Sequence, residues 1–538
     1  MHVHQLAART LHAIGVDTLF GLIGDGNLYM VDDFTRMLGG RFIAVTHEAS
    51  AVLAASGYSR TTGRLGVATV THGPALTNTI TALIEAVRAR TPLVLVAGDT
   101  AVIDRDNLQK IDQRSVILPT GAAFEQVRSP ETLVADFVSA FRCAELQRRP
   151  VVVNVPADFM WRDADFQPPQ PLPVIRQAIR PSEDAVDAAL GVVASARRPI
   201  VLAGRGATSA AARAAVLGFA RRIGAPLTTT LQARELFAGE PDNLGIFGTL
   251  SDDIAVDAIK QADCVVAFGA ALNRWTTGEG SLLDGARVVQ VDLDAAALNH
   301  HRRVDAPVHG EAAAVADEFV RLLDEGSFSP TDFADRIGHP ATHEGAREGA
   351  HHRAGTLDIT EALRIIDRRF PRERSLVLDA GRFFHHAAFN VRTGEVNSYV
   401  HTLEFGCIGL GMGNAIGAAA GTPGTPVLMI SGDGGFMLGG LAEFNTAVRH
   451  RLDIVVVVMN DNAYGAEYIQ FRNKGLDASI STFDWPNLAN VANTLGGIGY
   501  TVRTLDELEA TMAELHNRDR PVLIEVPLDP DVIPSPYH

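Results

Sequence analysis

PVLMISGDGGF, residues 426–436, reads as a buried strand that runs out into a glycine-rich turn at the start of a helix. Pro426–Ile430 is a short continuous apolar run, with the length and character of a strand covered on both faces. The glycines of Ser431-Gly432-Asp433-Gly434-Gly435-Phe436 let the backbone approach a ligand closely and turn N–H groups towards an anion at the helix start. A diphosphate suits that place. Asp433 would repel a bare phosphate, so its presence points to a hard divalent cation that bridges carboxylate and phosphate oxygens, as octahedral Mg²⁺ does.

A second strand, Asp453–Met459, ends in the polar loop NDNAYG at 460–465. If the two strands are neighbours, oxygen ligands converge from two strand ends. The surrounding block, 357–538, opens with a helix rich in Ala, Leu and Ile and then repeats strand, glycine-rich turn and helix. This is the pattern of a doubly wound α/β sheet, which binds ligands beyond the carboxyl ends of its strands. Residues 1–165 show the same alternation, with apolar runs at Val67–Val70, Leu93–Ala97 and Val151–Val155 between Ala-rich stretches. A third such block, 184–330, carries Pro199–Ala203, Cys264–Phe268 and Arg287–Val291. The fold expected is therefore α/β, with three doubly wound parallel-sheet domains at 1–165, 184–330 and 357–538. PPQPLP at 168–173 and the His-, Gly- and Glu-rich segment at 337–355 read as linkers. GRGA at 204–207 reads as a tight turn before it reads as a nucleotide loop, and the linker histidines read as solvated loop before metal ligands.

Composition agrees with this reading and excludes several functions. The 538 residues exceed what one core supports. Apolar residues at 46% and charged residues at 20% mark a folded chain rather than a disordered one. A formal charge of -16, from 63 acidic against 47 basic side chains, repels nucleic-acid phosphates, and Arg148–Arg149 and Arg302–Arg303 are isolated pairs, not a basic patch. Cys143, Cys264 and Cys407 are widely separated and lack any CxxC spacing, and so suggest neither a zinc site nor a disulfide framework. The start, MHVHQLAART, has no signal-peptide pattern, and no run approaches the ~20 apolar residues that span a bilayer. A cytoplasmic protein, neither secreted nor membrane-embedded, is expected.

GDG followed about one helix and one strand later by NDNAYG resembles the cofactor signature of the thiamine diphosphate enzymes of the acetolactate synthase, pyruvate decarboxylase and benzoylformate decarboxylase superfamily. The resemblance covers nearly the whole chain, and makes the three blocks pyrimidine-binding, middle and diphosphate-binding domains. It implies that Asp433, Asp461 and the carbonyl of Ala463 hold Mg²⁺, or Ca²⁺ or Mn²⁺ in its place. Asn460 is the alternative second ligand, because the sequence carries an extra residue in the intervening helix region. Gly434, Gly435 and Tyr464 then border the cofactor. Glu404-Phe405-Gly406-Cys407-Ile408-Gly409 matches the pyrimidine cradle, in which the Gly406 carbonyl accepts from the 4'-amino group and Ile408 wedges between the two rings. Asp379-Ala380-Gly381-Arg382 matches the other diphosphate-side turn, with Arg382 a departure from the usual residue. Glu48, in Val45-Thr46-His47-Glu48-Ala49-Ser50, stands where the family keeps the carboxylic acid that protonates the pyrimidine, a task that calls for a raised pKa. Because Glu48 and the diphosphate site lie on different domains, the family pattern implies active sites between subunits of a homodimer or homotetramer.

Three further side chains bear on the reaction. Asp25, in Gly24-Asp25-Gly26-Asn27, matches an active-site Asp of pyruvate and indolepyruvate decarboxylases, and Glu467 falls where those enzymes keep a Glu. His72, in Thr71-His72-Gly73-Pro74, matches a benzoylformate decarboxylase histidine. The His-His pair of pyruvate decarboxylases is absent around Asp104–Gln113, which is more like acetolactate synthase and makes Gln109 and Gln113 candidate substrate contacts. The Lys of true acetolactate synthase is missing from Leu118-Pro119-Thr120-Gly121, and Arg274 is a candidate for meeting a carboxylate. The resemblance implies decarboxylation of a 2-oxo acid to an enamine, which is protonated to an aldehyde or attacks a second aldehyde or ketone. An acetolactate synthase-like carboligase and a non-decarboxylating C–C lyase are the alternatives, with a non-catalytic cofactor-binding regulator behind them. FAD in the middle domain is not expected. The substrate pocket depends on loops such as Gly465–Leu476 and on the tail Ser535-Pro536-Tyr537-His538.

Overall fold

The computed structural model describes residues 1–169, 177–337 and 353–532; most of both linkers and the tail at 535–538 lie outside the described residues. Within the described residues are three six-stranded parallel sheets. The first holds β1 (Thr18–Gly21), β2 (Arg41–Ala44), β3 (Gly66–Val70), β4 (Leu93–Asp99), β5 (Ala123–Gln126) and β6 (Pro150–Pro156). The second holds β7 (Pro199–Ala203), β8 (Leu227–Thr229), β9 (Asn243–Ile246), β10 (Cys264–Phe268), β11 (Arg287–Asp292) and β12 (Ala306–His309). The third holds β13 (Ser375–Leu378), β14 (Tyr399–His401), β15 (Val427–Gly432), β16 (Ile454–Asn460), β17 (Ile498–Thr501) and β18 (Val522–Pro527). Parallel neighbours need crossover helices that cover both faces, which is why β6 and β16 are buried at every position. The expected α/β architecture of three parallel-sheet domains is what forms.

The first and third sheets share a strand order, β2-β1-β3-β4-β6-β5 and β14-β13-β15-β16-β18-β17. They belong to one compact unit and share one apolar core, which includes Leu53 and Ala54 from the first sheet's side and Met412 and Ile416 from the third's. The helices Glu48–Thr62 and Gly411–Gly421 press together there. A Cβ at Gly417 would lie 1.8 Å from the Ala54 carbonyl oxygen, and one at Gly57 would lie 2.1 Å from that of Asn414. Only glycine permits that backbone approach. Glu443 adds a polar tie: its Oε1 accepts from Thr46 N at 3.0 Å, Thr46 Oγ1 at 2.7 Å and His47 N at 3.0 Å, just before Glu48.

The second sheet, in a unit of its own, runs β12-β11-β10-β7-β8-β9, an order also used for dinucleotides. In GRGA, Gly206 N donates to the Gly269 carbonyl at 3.1 Å, and a Cβ at Gly206 would lie 2.7 Å from Gly269 Cα. These glycines serve a contact between two strand-end turns. No helix among the described residues is long and apolar enough to cross a membrane.

Candidate active site

β13, β15 and β16 are adjacent, and their carboxyl ends deliver Asp379, Asp433 and Asp461 to one place. Asp379, fully buried, organises the floor. Its Oδ1 accepts from Ala380 N, Thr402 Oγ1 and Leu410 N, and its Oδ2 from Gly409 N and Ser431 Oγ, all at 2.9–3.2 Å. Burial still pushes its pKa up against these donors. One carboxylate thereby fixes the cradle segment relative to the GDG turn.

Asp433 opens the helix after β15, and its Oδ2 accepts from Trp485 Nε1 at 2.8 Å. Burial first, and then the charge of Asp461, push its pKa up to about 7. Burial also raises Asp461, opposed by Arg382, whose Nη2 donates to Asp461 Oδ2 at 2.6 Å. Ala463 N donates to Asp461 Oδ1 at 3.2 Å. Each carboxylate thus has Oδ2 held by a fixed side-chain donor, the arrangement that orients metal ligands. The side chain of Asn460 is engaged elsewhere: Nδ2 donates to Glu525 Oε1 at 2.8 Å and Oδ1 accepts from Asn462 N at 3.0 Å. Gly465 leaves room for this pair, since a Cβ there would lie 2.5 Å from Asp461 Oδ2 and would push that carboxylate aside. Tyr464 packs edge-on to Phe483, which stacks on Trp485. Among the described residues no three His, Cys, Asp or Glu side chains form a complete metal cage.

The cradle segment is held from the first sheet's side of the unit. Glu85, buried, accepts from Glu404 N at 3.2 Å and Phe405 N at 2.6 Å. Burial pushes its pKa up to about 7 despite those donors. Arg60 donates to the His401 carbonyl at 2.8 Å, and the Arg88 guanidinium lies over the Phe405 ring at 4.6 Å. Gly406 turns the chain with a φ of +75°, and the space where its Cβ would stand is open. Half-buried Ile408 reaches Gly434, its Cδ1 lying 4.0 Å from where a Cβ there would stand.

The candidate proton-transfer groups sit at the carboxyl ends of β2, β1 and β3, neighbours in the first sheet. Glu48 is half-buried at the start of its helix, and Asn78 Nδ2 donates to its Oε2 at 2.9 Å. Asp25 is exposed, accepts from Thr71 Oγ1 at 3.0 Å, and lies 3.8 Å from Nε2 of buried His72. Gly73 follows with a φ of +61° and packs against the Gln109 backbone. Gln113 is buried with its amide fully engaged: Oε1 accepts from Gly73 N at 2.7 Å, and Nε2 donates to the Gly98 carbonyl at 2.9 Å and to Asn154 Oδ1. That places Gln113 as a support for the His72 loop. Glu467 is exposed on the first turn of the helix Gly465–Asn473. Arg274 lies in the other unit, paired with Glu279 at 2.8 Å and stacked on Trp275.

Trp485, Asn78, Glu85 and the hub role of Asp379 escape a reading of the sequence. Only Asp379, at a strand end two residues before a glycine, carries a local signal; the others act through long-range contacts.

Family comparison supplies the remaining finding. Residues 1–116 match the model described as "Thiamine pyrophosphate enzyme, N-terminal TPP binding domain", residues 186–319 its central domain, and residues 379–526 its C-terminal TPP binding domain. The chain is 25% identical to the acetolactate synthase large subunit of Haemophilus influenzae, over 98% of this chain and 94% of that protein. It is 27% identical to an acetolactate synthase of Mycobacterium bovis, over 97% and 87%. It is 28% identical to the sulfoacetaldehyde acetyltransferase of Rhodobacter capsulatus, over 94% and 90%.

Proposed function

The chain belongs to the thiamine pyrophosphate enzymes, and from that premise we propose that it uses thiamine diphosphate and Mg²⁺ to decarboxylate a 2-oxo acid and to release the remaining fragment as an aldehyde or join it to a second carbonyl. The observation that carries this reading is the braced pair Asp433 and Asp461 on adjacent strand ends, above the floor set by Asp379. Two buried carboxylates, each with one oxygen already oriented, suit a hard divalent cation shared with phosphate oxygens. In this reading Asp433, Asp461 and the Ala463 carbonyl hold the metal. Arg382, Gly381, Gly434, Gly435 and Tyr464 border the diphosphate, and Gly406 and Ile408 hold the pyrimidine end.

Bound there, the cofactor supplies the electron sink that lets CO₂ leave from beside a carbonyl. The chain supplies orientation and proton management. Glu48, its Oε2 held by Asn78, manages the proton of the pyrimidine end. In the same reading His72, whose Nε2 is close to Asp25 Oδ1 and whose loop is braced by Gln113, delivers a proton to a leaving product. Gln109, Glu467 and Arg274 remain candidates for the substrate's own groups.

The relatives named acetolactate synthase and sulfoacetaldehyde acetyltransferase favour a second outcome, in which the fragment passes to an acceptor instead of taking a proton. Exposed apolar side chains near these strand ends, including Phe405, Leu438, Tyr464 and Ile480, fit a second copy of the chain covering the site. The three cysteines are free, which suits a reducing compartment such as the cytoplasm. The test is CO₂ release and product identity over a panel of 2-oxo acids, with and without acceptor aldehydes, after the protein is stripped and restored with thiamine diphosphate and Mg²⁺. An aldehyde product is the decarboxylase outcome and a hydroxyketone the carboligase outcome. No CO₂ from any acid would refute the proposal.

A further inference from the structure

Arg382 is the charged departure in an otherwise ordinary diphosphate-side turn. Its side chain is only 2% exposed, so the guanidinium has left water almost completely. Nη2 donates to Asp461 Oδ2 at 2.6 Å and Nη1 to the Pro530 carbonyl at 3.0 Å. The third direction of the fork, Nε–H, is buried without a partner. A buried donor left unpaired is costly, and a charged one more so, unless the site normally offers it an acceptor. Nε lies beside Gly465, 2.9 Å from where a Cβ there would stand, and that same point is 2.5 Å from Asp461 Oδ2. The unpaired donor therefore lies beside Gly465, the residue after Tyr464, which the reading above sets at the border of the diphosphate. The charge balance points the same way. Asp433 and Asp461 bring two carboxyls into one buried place, and Arg382 is the cation bonded to Asp461.

Resting on the thiamine diphosphate reading, we propose that Arg382 is a resident cation of the diphosphate site: it holds Asp461 in position before metal arrives, and gives its free Nε–H to a diphosphate oxygen. Guanidinium is suited to this because its fork can hold a carboxylate and a phosphate oxygen at once and does not lose its proton. The consequence is a cofactor that keeps part of its affinity when the divalent metal is removed. Arg382 is a binding residue in this scheme, with no part in proton transfer.

The experiment is calorimetric titration of the full-length stripped protein with thiamine diphosphate, in Mg²⁺ and again in EDTA, for the wild type, Arg382→Gln and Arg382→Lys, with circular dichroism to establish folding. Arg382→Gln is expected to bind about ten- to a hundredfold more weakly than the wild type in EDTA, the scale of a charge-assisted hydrogen bond. Its loss in Mg²⁺ is expected to be smaller. Arg382→Lys keeps the cation beside Asp461 but has no fork, is the variant to use if the glutamine protein does not fold, and is expected to fall between the two. Equal affinities in EDTA for the wild type and either variant would overturn the role given to Nε–H while leaving the functional reading intact. A wild type that does not bind thiamine diphosphate even in Mg²⁺ would overturn both.

Discussion

The first and third sheets have the same strand order, yet their strand ends hold their carboxylates in opposite ways. In the third sheet Asp379, Asp433 and Asp461 are buried: Asp379 is bonded to several donors, Asp433 to the Trp485 indole and Asp461 to the Arg382 cation. In the first sheet Glu48 is half-buried on the amide of Asn78, and Asp25 is exposed on one hydroxyl. The contrast separates two tasks. Holding a charged cofactor calls for groups whose geometry is set before binding, whereas moving protons calls for groups that can change charge without tearing a network apart. In the proposed reading, a shared strand order then serves as an anchor on one side and as a proton-handling face on the other.

The sharpest way to break this division is Glu48→Gln. It should leave thiamine diphosphate affinity within a few-fold of wild type and cut kcat by about 10²- to 10⁴-fold, the range for a lost acid–base group. Near wild-type turnover would remove Glu48 from the mechanism. Asp433→Asn should do the converse. Its cofactor affinity in Mg²⁺ should fall on the order of a hundredfold, and excess cofactor and metal should restore part of the activity. If Asp433→Asn lowers kcat with cofactor binding intact, the anchor assignment is wrong. Asn78→Ala should cost about tenfold in kcat with little change in KM, as loss of one hydrogen bond to a charged group would. A larger effect on KM would make Asn78 a substrate contact.

Local pattern reveals what local sequence controls. The run Pro426–Ile430 identifies β15, but the strand extends through Gly432, because Ser431 and Gly432 still pair with Val458 and Met459 of β16. Hydropathy cannot see a ladder that continues into polar residues. The GDG and NDNAYG loops are legible because a turn must follow each buried strand, and their convergence follows once β15 and β16 are neighbours. The choice between Asn460 and Asp461 was open in sequence. The contact of Asn460 with Glu525, on the neighbouring strand β18, is a tertiary fact. Trp485 reaching Asp433 and Glu85 reaching Phe405 join residues 52 and 320 positions apart. No short-range periodicity encodes such pairs. Arg382 was legible only as a departure, and its meaning needed the buried geometry around Asp461.

Glu85 offers the smallest and most discriminating test, because it is a buried carboxyl that stands outside both groups and ties the cradle segment to the first sheet. Its surroundings pull in opposite directions. Desolvation and the nearby Glu404 favour the neutral acid, while the two backbone donors and Arg60 favour the carboxylate. Desolvation is the largest influence, and the folded pKa rises from an ordinary 4.5 to about 7. The folded chain then holds this proton more tightly than the unfolded chain does. The associated stability is fully present below the unfolded value and is lost as pH rises through about 7. The thermal midpoint of the wild type, measured against Glu85→Gln, should therefore fall by a few degrees at most between pH 5 and pH 8. A difference that does not change with pH would mean that the two N–H donors keep Glu85 ionised throughout. The cradle segment would then be anchored by a fixed carboxylate, and the proposed division between the two faces would run through the first sheet instead of between the sheets.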